Sequence, residues 1–236
     1  MKPQDLANLA LFKGIDNKLF NHLISGGSFE AFTKNEMAYE EGEKAARFGI
    51  IASGLFRMTK DDTLGSRVAL LFLSSGDLVG DLPMALNEPR YAMNCETLVS
   101  GIIFWIPKET YTRYWLTSPP AMQRVQAATL DRLQWMAQCR ADQRLPLGSR
   151  VAGFLIRAQS RKDDNPESAI MTLTRRALAD AVGASVESVI RVMASWEKRG
   201  LVATPEKVVT IRDIAAVQEI HEKPKKRNRK RRSFRS

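Results

Sequence analysis

The densest chemistry in this chain lies in one run, TRRALADAVGASVESVIRVMASWEKRGLV, residues 174–202. Thr174 is placed to cap a helix by accepting a backbone N–H. Ala177, Leu178, Ala181 and Val182 then share one apolar face. Gly183 supplies the backbone freedom of a sharp turn, and Ser185 is placed to cap a second helix. Val189, Val192, Met193 and Trp196 form the inner face of that helix. Glu187, Ser188, Arg191 and Val186 are left on its outer side. Two helices joined by a three-residue turn containing Gly fit a helix-turn-helix. An exposed Arg can fork onto guanine O6 and N7, and an exposed Glu can accept from cytosine N4. Arg175 and Arg176 flank the first helix, where they can grip phosphates without reading sequence. The same residues also fit an ordinary helical hairpin whose Glu187–Arg191 pair, at i,i+4, is merely solvated.

Around this run the elements change character. Before residue 118, short apolar segments (Phe48 to Ala52, Val68 to Leu73, Gly101 to Ile106) alternate with turn residues: Gly42, Gly54, Asp61-Asp62, Gly65, Ser74 to Asp77, Ser100-Gly101. That pattern predicts an all-β barrel or roll, preceded by a helical segment from Leu6 to Ile24. Residues 121–144 contain no Gly or Pro and predict a helix on the order of 36 Å long. Met122, Val125, Thr129, Leu133 and Met136 lie along one side of it, interrupted by Thr129 and with Trp135 outside. Such a helix packs on its own domain or pairs with a second copy. Leu145 to Gly148 is a breaker cluster that predicts a domain boundary. Beyond it helices are predicted over Ser149 to Ser160, Thr174 to Val182 and Val186 to Arg199. Strands at Leu201-Val202 and Val208 to Ile211 follow, joined by Ala203 to Lys207 as a wing. The expected class is α+β, with domains 1–118, 119–145 and 146–222 and a basic tail, 223–236.

Charge sharpens this division. Of 236 residues, 36 are Lys or Arg and 26 Asp or Glu, a net charge of +10. Nine of the basic residues lie in KPKKRNRKRRSFRS after Glu222, which leaves 27 basic against 26 acidic in the rest. The tail is expected to be disordered. It either binds phosphates by counterion release or simply keeps the chain soluble. Two cysteines and two histidines are too few for a disulfide framework, a Cys/His zinc site or a four-cysteine iron–sulfur cluster. His22 and His221 are poorly placed for haem. Cys139 is either a redox switch or inert packing. The chain lacks a 20-residue apolar span and a signal-peptide pattern, and no P-loop, H-E-x-x-H or G-x-S-x-G motif occurs. A reduced, cytoplasmic, non-enzymatic protein is expected, without membrane partners.

Several of these features together resemble the CRP/FNR family of bacterial transcription factors. The likeness runs without a gap from Thr174 to Arg191. Gly42-Glu43 and Gly54 look like the family's β-roll glycines, and Ser75 to Leu82 resembles its G-D-x-x-G-E-L cassette. Residues 121–144 correspond to its dimerisation helix, and Gly148 to Ala158 to the first helix of its DNA domain. The resemblance implies a cyclic-nucleotide-binding-like β-roll, a homodimer, a C-terminal winged helix-turn-helix, a palindromic site on double-stranded DNA and contact with RNA polymerase. Glu187 and Arg191 match the family's base-reading positions. Val186 matches the FNR branch. Ile190 departs from both branches, and its methyl groups can meet a thymine methyl instead.

The resemblance also implies an effector pocket, at Gly80, Asp81, Leu82, Arg90, Tyr91, Ala92, Met136 and Ala137. There Asp81 replaces the family's ribose-binding Glu, Arg90 lies one residue nearer than the phosphate-binding Arg, and Tyr91 replaces a Ser. Met136 and Ala137 replace the Thr-Ser pair that meets adenine. A site built on hydrogen bonds loses much when those groups vanish, so cyclic AMP is not the expected effector, and the effector stays unassigned. Two other readings use the same residues. One is a ligand sensor with a vestigial DNA domain, the other a non-specific nucleic-acid binder driven by the tail.

Overall fold

The computed structural model describes residues 2–61, 63, 67–160, 171–172, 174–205 and 208–223. The basic tail beyond Lys223, the Asp62 and Gly65 turn positions and the Glu206-Lys207 wing tip lie outside the described residues. The chain forms two compact units, Met1–Ala137 and Gln138–Ser236.

The first unit is a six-stranded antiparallel sheet with helical segments at both ends. Before the sheet comes α1 (Asn17–Leu23), and the strands are β1 (Ser28–Phe32), β2 (Met37–Tyr39), β3 (Arg47–Asp61), β4 (Arg67–Ser74), β5 (Leu78–Val79) and β6 (Asn94–Pro107). After them come α2 (Lys108–Thr110), which continues as a π-helical turn (Tyr111–Trp115), and the long α3 (Pro119–Asp142). Strand order is β1-β6-β3-β4, with β2 on β6 and β5 on β3. Phe48, Ile50, Ile51, Phe56, Phe104 and Trp105 fill the core.

The helical segment expected from Leu6 to Ile24 is divided into two short 3-10 turns and α1. Asp16 caps α1 by accepting from the Leu19 N–H at 2.9 Å, which starts a new helix in the middle of the expected one. Gly54 and Ser100-Gly101, read as breaks between strands, lie inside β3 and β6. Their register slips there between Ile51 and Ser53, and again on to Leu55 and Phe56. A Cβ on Gly54 would come 2.5 Å from the Gly101 Cα. The glycines thus let two strands bulge past each other instead of ending them.

Helix α3 differs from its expected stripe. Ala121, Val125, Arg132 and Trp135 are buried, and Met122, Thr129 and Met136 are half-buried. Leu130 and Leu133 are 54% and 59% exposed. Trp135, which lay outside the expected stripe, therefore faces inward, and Leu133, inside it, faces out. An arginine on the inner face hid this orientation from an apolar count.

In the second unit, α4 (Leu147–Ser160), α5 (Arg175–Val182), α6 (Val186–Lys198) and α7 (Ile214–Glu222) surround a small core with the sheet β7-β9-β8. These strands are β7 (Met171–Thr172), β8 (Val202–Ala203) and β9 (Val208–Ile211). Val151, Phe154, Leu155, Leu178, Met193 and Val217 are buried in it. The strand β7 and helix α7 were not foreseen. Helix α7 is capped by Asp213, which accepts from the Ala216 N–H at 2.9 Å. It is tied to α4 where the Ser149 hydroxyl donates to the Ile220 carbonyl at 2.8 Å. The first unit ends at Ala137, inside α3, and Gly148 lies in the first turn of α4. The last turn of α3 is bound to α4, because Asp142 pairs with Arg157 at 2.8 Å.

Candidate nucleic-acid interface and effector pocket

The helix-turn-helix is held by local caps. Thr174 accepts from the Ala177 N–H at 3.1 Å. Ser185 accepts from the Ser188 N–H at 3.3 Å. Gly183 turns with φ +60°, in the left-handed region where only glycine is unstrained. Arg150, on α4, donates to the carbonyls of Val182 and Gly183 at 2.7 and 3.1 Å. A cation there satisfies carbonyls that the end of α5 leaves without partners.

Helix α6 presents two distinct faces. Val189, Met193 and Trp196 are buried, whereas Val192, expected among them, is half-buried. On the other side Glu187 and Arg191 are exposed, and Ile190 is 47% exposed. Val186 and Ser188 are half-buried. The Arg191 guanidinium donates to the Ser188 hydroxyl at 3.1 Å, and the Ser185 hydroxyl donates to Ser188 at 2.9 Å. Arg191 is therefore held on the outer face by a serine network. Arg176 is exposed. Arg175 is engaged within the unit, donating to Glu197 at 3.0 Å and Thr204 at 3.2 Å; Thr204 in turn donates to Glu197. Arg175 thus links α5 to the end of α6 and the wing, a tie that only the folded unit reveals.

The residues expected to form an effector pocket are not all brought together. A small, partly open pocket lies in the first unit. Gly80, Asp81, Leu82, Tyr91, Ala92 and Met136 line it. Arg90 and Ala137 do not. Arg90 is exposed and donates to the Gly42 carbonyl at 2.7 Å.

Sequence reasoning missed the group that dominates this pocket. Arg132, on α3, forms a two-pronged ion pair with Asp81, with both N–O distances 2.7 Å. Asp81 is 1% and Arg132 8% exposed. Burial alone would lower the arginine's pKa, but the Asp81 bonds and charge outweigh it and hold it above its usual value. Both charges are thus spent on each other. The signal available was an Arg on the inner side of a helix that must face the sheet. Beside the pair, Tyr91 stacks on Tyr39 at 3.8 Å between centroids. The Tyr91 hydroxyl donates to the Arg47 carbonyl at 2.7 Å. Burial pushes the Tyr91 phenol up to about 12 and raises Tyr39 well above the usual value. The rest of the lining is apolar and includes Met58, Leu71, Leu73, Leu78 and Val79. Tyr91 stands where a small hydroxyl would be needed and Asp81 is already paired, so this lining does not fit a cyclic nucleotide phosphate. Among the described residues, Asp81 and Arg132 are the only charged groups lining the pocket.

Comparison with known proteins places both units. The cyclic nucleotide-binding domain family matches residues 29–117, and the Crp-like helix-turn-helix domain family matches 149–220. The chain is 25% identical over 203 residues to the "Anaerobic regulatory protein" of Bacillus subtilis, covering 81% of this chain and 82% of that one. It is 26% identical over 198 residues to "Transcriptional regulator LdrP" of Thermus thermophilus, covering 79% and 93%. The structure of FixK2 from Bradyrhizobium japonicum has the same fold, with a TM-score of 0.70 at 19% identity over 82% of this chain and 96% of that chain. Among the described residues, no helix is long and apolar enough to cross a membrane. With a β-roll and a helix-turn-helix in this order, each matched by its own family, the chain belongs to the CRP/FNR family of transcription regulators.

Proposed function

We propose that the protein is a homodimeric, sequence-specific regulator that reads a palindromic promoter site with α6. What carries this reading is the outer face of α6, where Glu187, Ile190 and Arg191 stand exposed over a buried Val189–Met193–Trp196 face. Arg191 reads a guanine and Glu187 its cytosine partner, while Ile190 meets an adjacent thymine methyl. Arg176 contacts phosphate and fixes register. Leu130 and Leu133, three residues apart and exposed on α3, supply the apolar surface of a helix-to-helix dimer. Two-fold symmetry then sets the recognition helices ~34 Å apart, on successive major grooves. Contact with RNA polymerase and a cytoplasmic setting complete this reading, supported by the likeness to transcription regulators. The effector is not cyclic AMP, since neither Arg90 nor Tyr91 offers a phosphate site.

The test is selection of bound sequences from random duplexes, with and without cyclic nucleotides, on full-length protein and on protein lacking residues 223–236. A palindromic consensus retained without the tail is expected, with weaker salt dependence than the full chain. Loss of all preference with the tail would establish non-specific binding instead. Failure of either protein to select any sequence would leave a sensor with a vestigial DNA domain.

A further inference from the structure

We infer that Glu197 withholds Arg175 from the DNA backbone, leaving Arg176 as the member of this arginine pair that grips phosphate. This deepens the proposed function and rests on its reading of the second unit as the one that meets DNA. Arg175 and Arg176 open α5, and neighbours on a helix point about 100° apart. Arg176 is exposed, whereas Arg175 is half-buried and turned toward the end of α6 and the wing. Its Nη2 donates to Glu197 at 3.0 Å and to the Thr204 hydroxyl at 3.2 Å. The Thr204 hydroxyl donates to the same Glu197 oxygen. One carboxylate oxygen in the last turn of α6 thus gathers the first arginine of α5 and the residue that follows β8.

Competition decides what Arg175 meets. An isolated surface ion pair is weak, and a phosphate would take its arginine. Here three groups share one set of bonds, with charge-assisted contacts among them. The guanidinium therefore leaves two acceptors at once when it turns to a phosphate. The exchange also strands the Glu197 carboxylate beside a polyanion with its cation gone. A phosphate contact by Arg175 gains one anion and uncovers another. Arg191 differs, because its partner is the neutral Ser188 hydroxyl, which it leaves at little cost.

The test is the salt dependence of DNA binding by the full-length protein, measured on a random-sequence duplex and on the selected site. Three proteins are compared: the parent, Glu197→Gln and Arg175→Ala/Glu197→Gln. In both variants the amide oxygen that replaces the carboxylate still accepts from Thr204, so the wing stays tied to α6. Glu197→Gln should free Arg175 for a phosphate. The slope of log K against log salt should then steepen by about 0.9, an extra gain in affinity of about three- to fourfold between roughly 200 and 50 mM salt. The double variant removes both charges and should return the slope to the parent's. The basic tail contributes equally to all three proteins. An unchanged slope in Glu197→Gln would overturn the inference. A double variant shallower than the parent would make Arg175 a phosphate contact already. One as steep as Glu197→Gln would mean that Glu197 acts by its own charge and not through Arg175. Either result also overturns it. Because slopes are read on any sequence, a parent that selects a site while the slopes stay equal overturns this inference alone. A parent that selects no site, with slopes that shift as expected, overturns the sequence-specific reading and leaves the role of Glu197 standing.

Discussion

The pocket in the first unit and the outer face of α6 use the same two charge types in opposite ways. In the pocket, Asp81 and Arg132 are buried and neutralise each other. On α6, Glu187 and Arg191 are exposed, and Arg191 touches a serine and not a carboxylate. A buried pair has its ionic capacity consumed by the fold. An exposed pair keeps its hydrogen-bonding groups free for a partner. The contrast separates charges that the fold consumes from charges that the fold leaves at the surface.

The largest test of that contrast is Arg132→Ala. It strands a buried carboxylate and should cost about 3–5 kcal/mol of stability, read by thermal or urea unfolding. The double variant Asp81→Leu/Arg132→Met should recover most of that loss, because an apolar pair of similar volume carries no desolvation penalty. If Arg132→Ala unfolded like the parent, the pair would not be structural.

Arg191→Ala should leave unfolding unchanged but lower affinity for the selected site by about 1–3 kcal/mol, relaxing preference at one base pair. Equal loss on every duplex would make Arg191 a phosphate contact. Gly183→Ala sharpens the comparison from the backbone side. A Cβ at φ +60°, 3.1 Å from the Gln143 side-chain oxygen, should cost about 1–2 kcal/mol of stability in the second unit. Affinity would then fall because α6 is less well held, while base preference is retained.

Tyr91→Phe should have the smallest effect, about 1 kcal/mol from the lost bond to the Arg47 carbonyl. Its pH signature is more specific. The folded phenol sits at about 12 against a model-peptide value of 10.0, so its contribution is complete below pH 10. That contribution is lost as pH rises toward 12, where the folded form also ionises. Alkaline unfolding curves of the parent should therefore fall over this window, and the Tyr91→Phe variant should lack that part of the decline.

The helix-turn-helix was legible because everything that builds it is local. Thr174, Gly183 and Ser185 act on residues within a few positions of themselves, so spacing alone predicts the caps and the turn. The β-roll was legible as a class, but its glycines were not. Gly54 and Gly101 read as chain breaks, because only the pairing of β3 with β6 reveals two backbones in close approach. The orientation of α3 was hidden for a related reason: an apolar count placed Leu133 inside and Trp135 outside, since it could not know that Arg132 had a buried counter-ion.

Residue order by itself determined the two-unit plan, the family and the exposed outer face of α6, since periodicity, caps and composition act over short distances along the chain. Tertiary structure alone decided what the pocket can hold. Asp81 and Arg132 are 51 positions apart, and whether a carboxylate awaits a ligand or is already paired depends on which distant helix the fold lays across it.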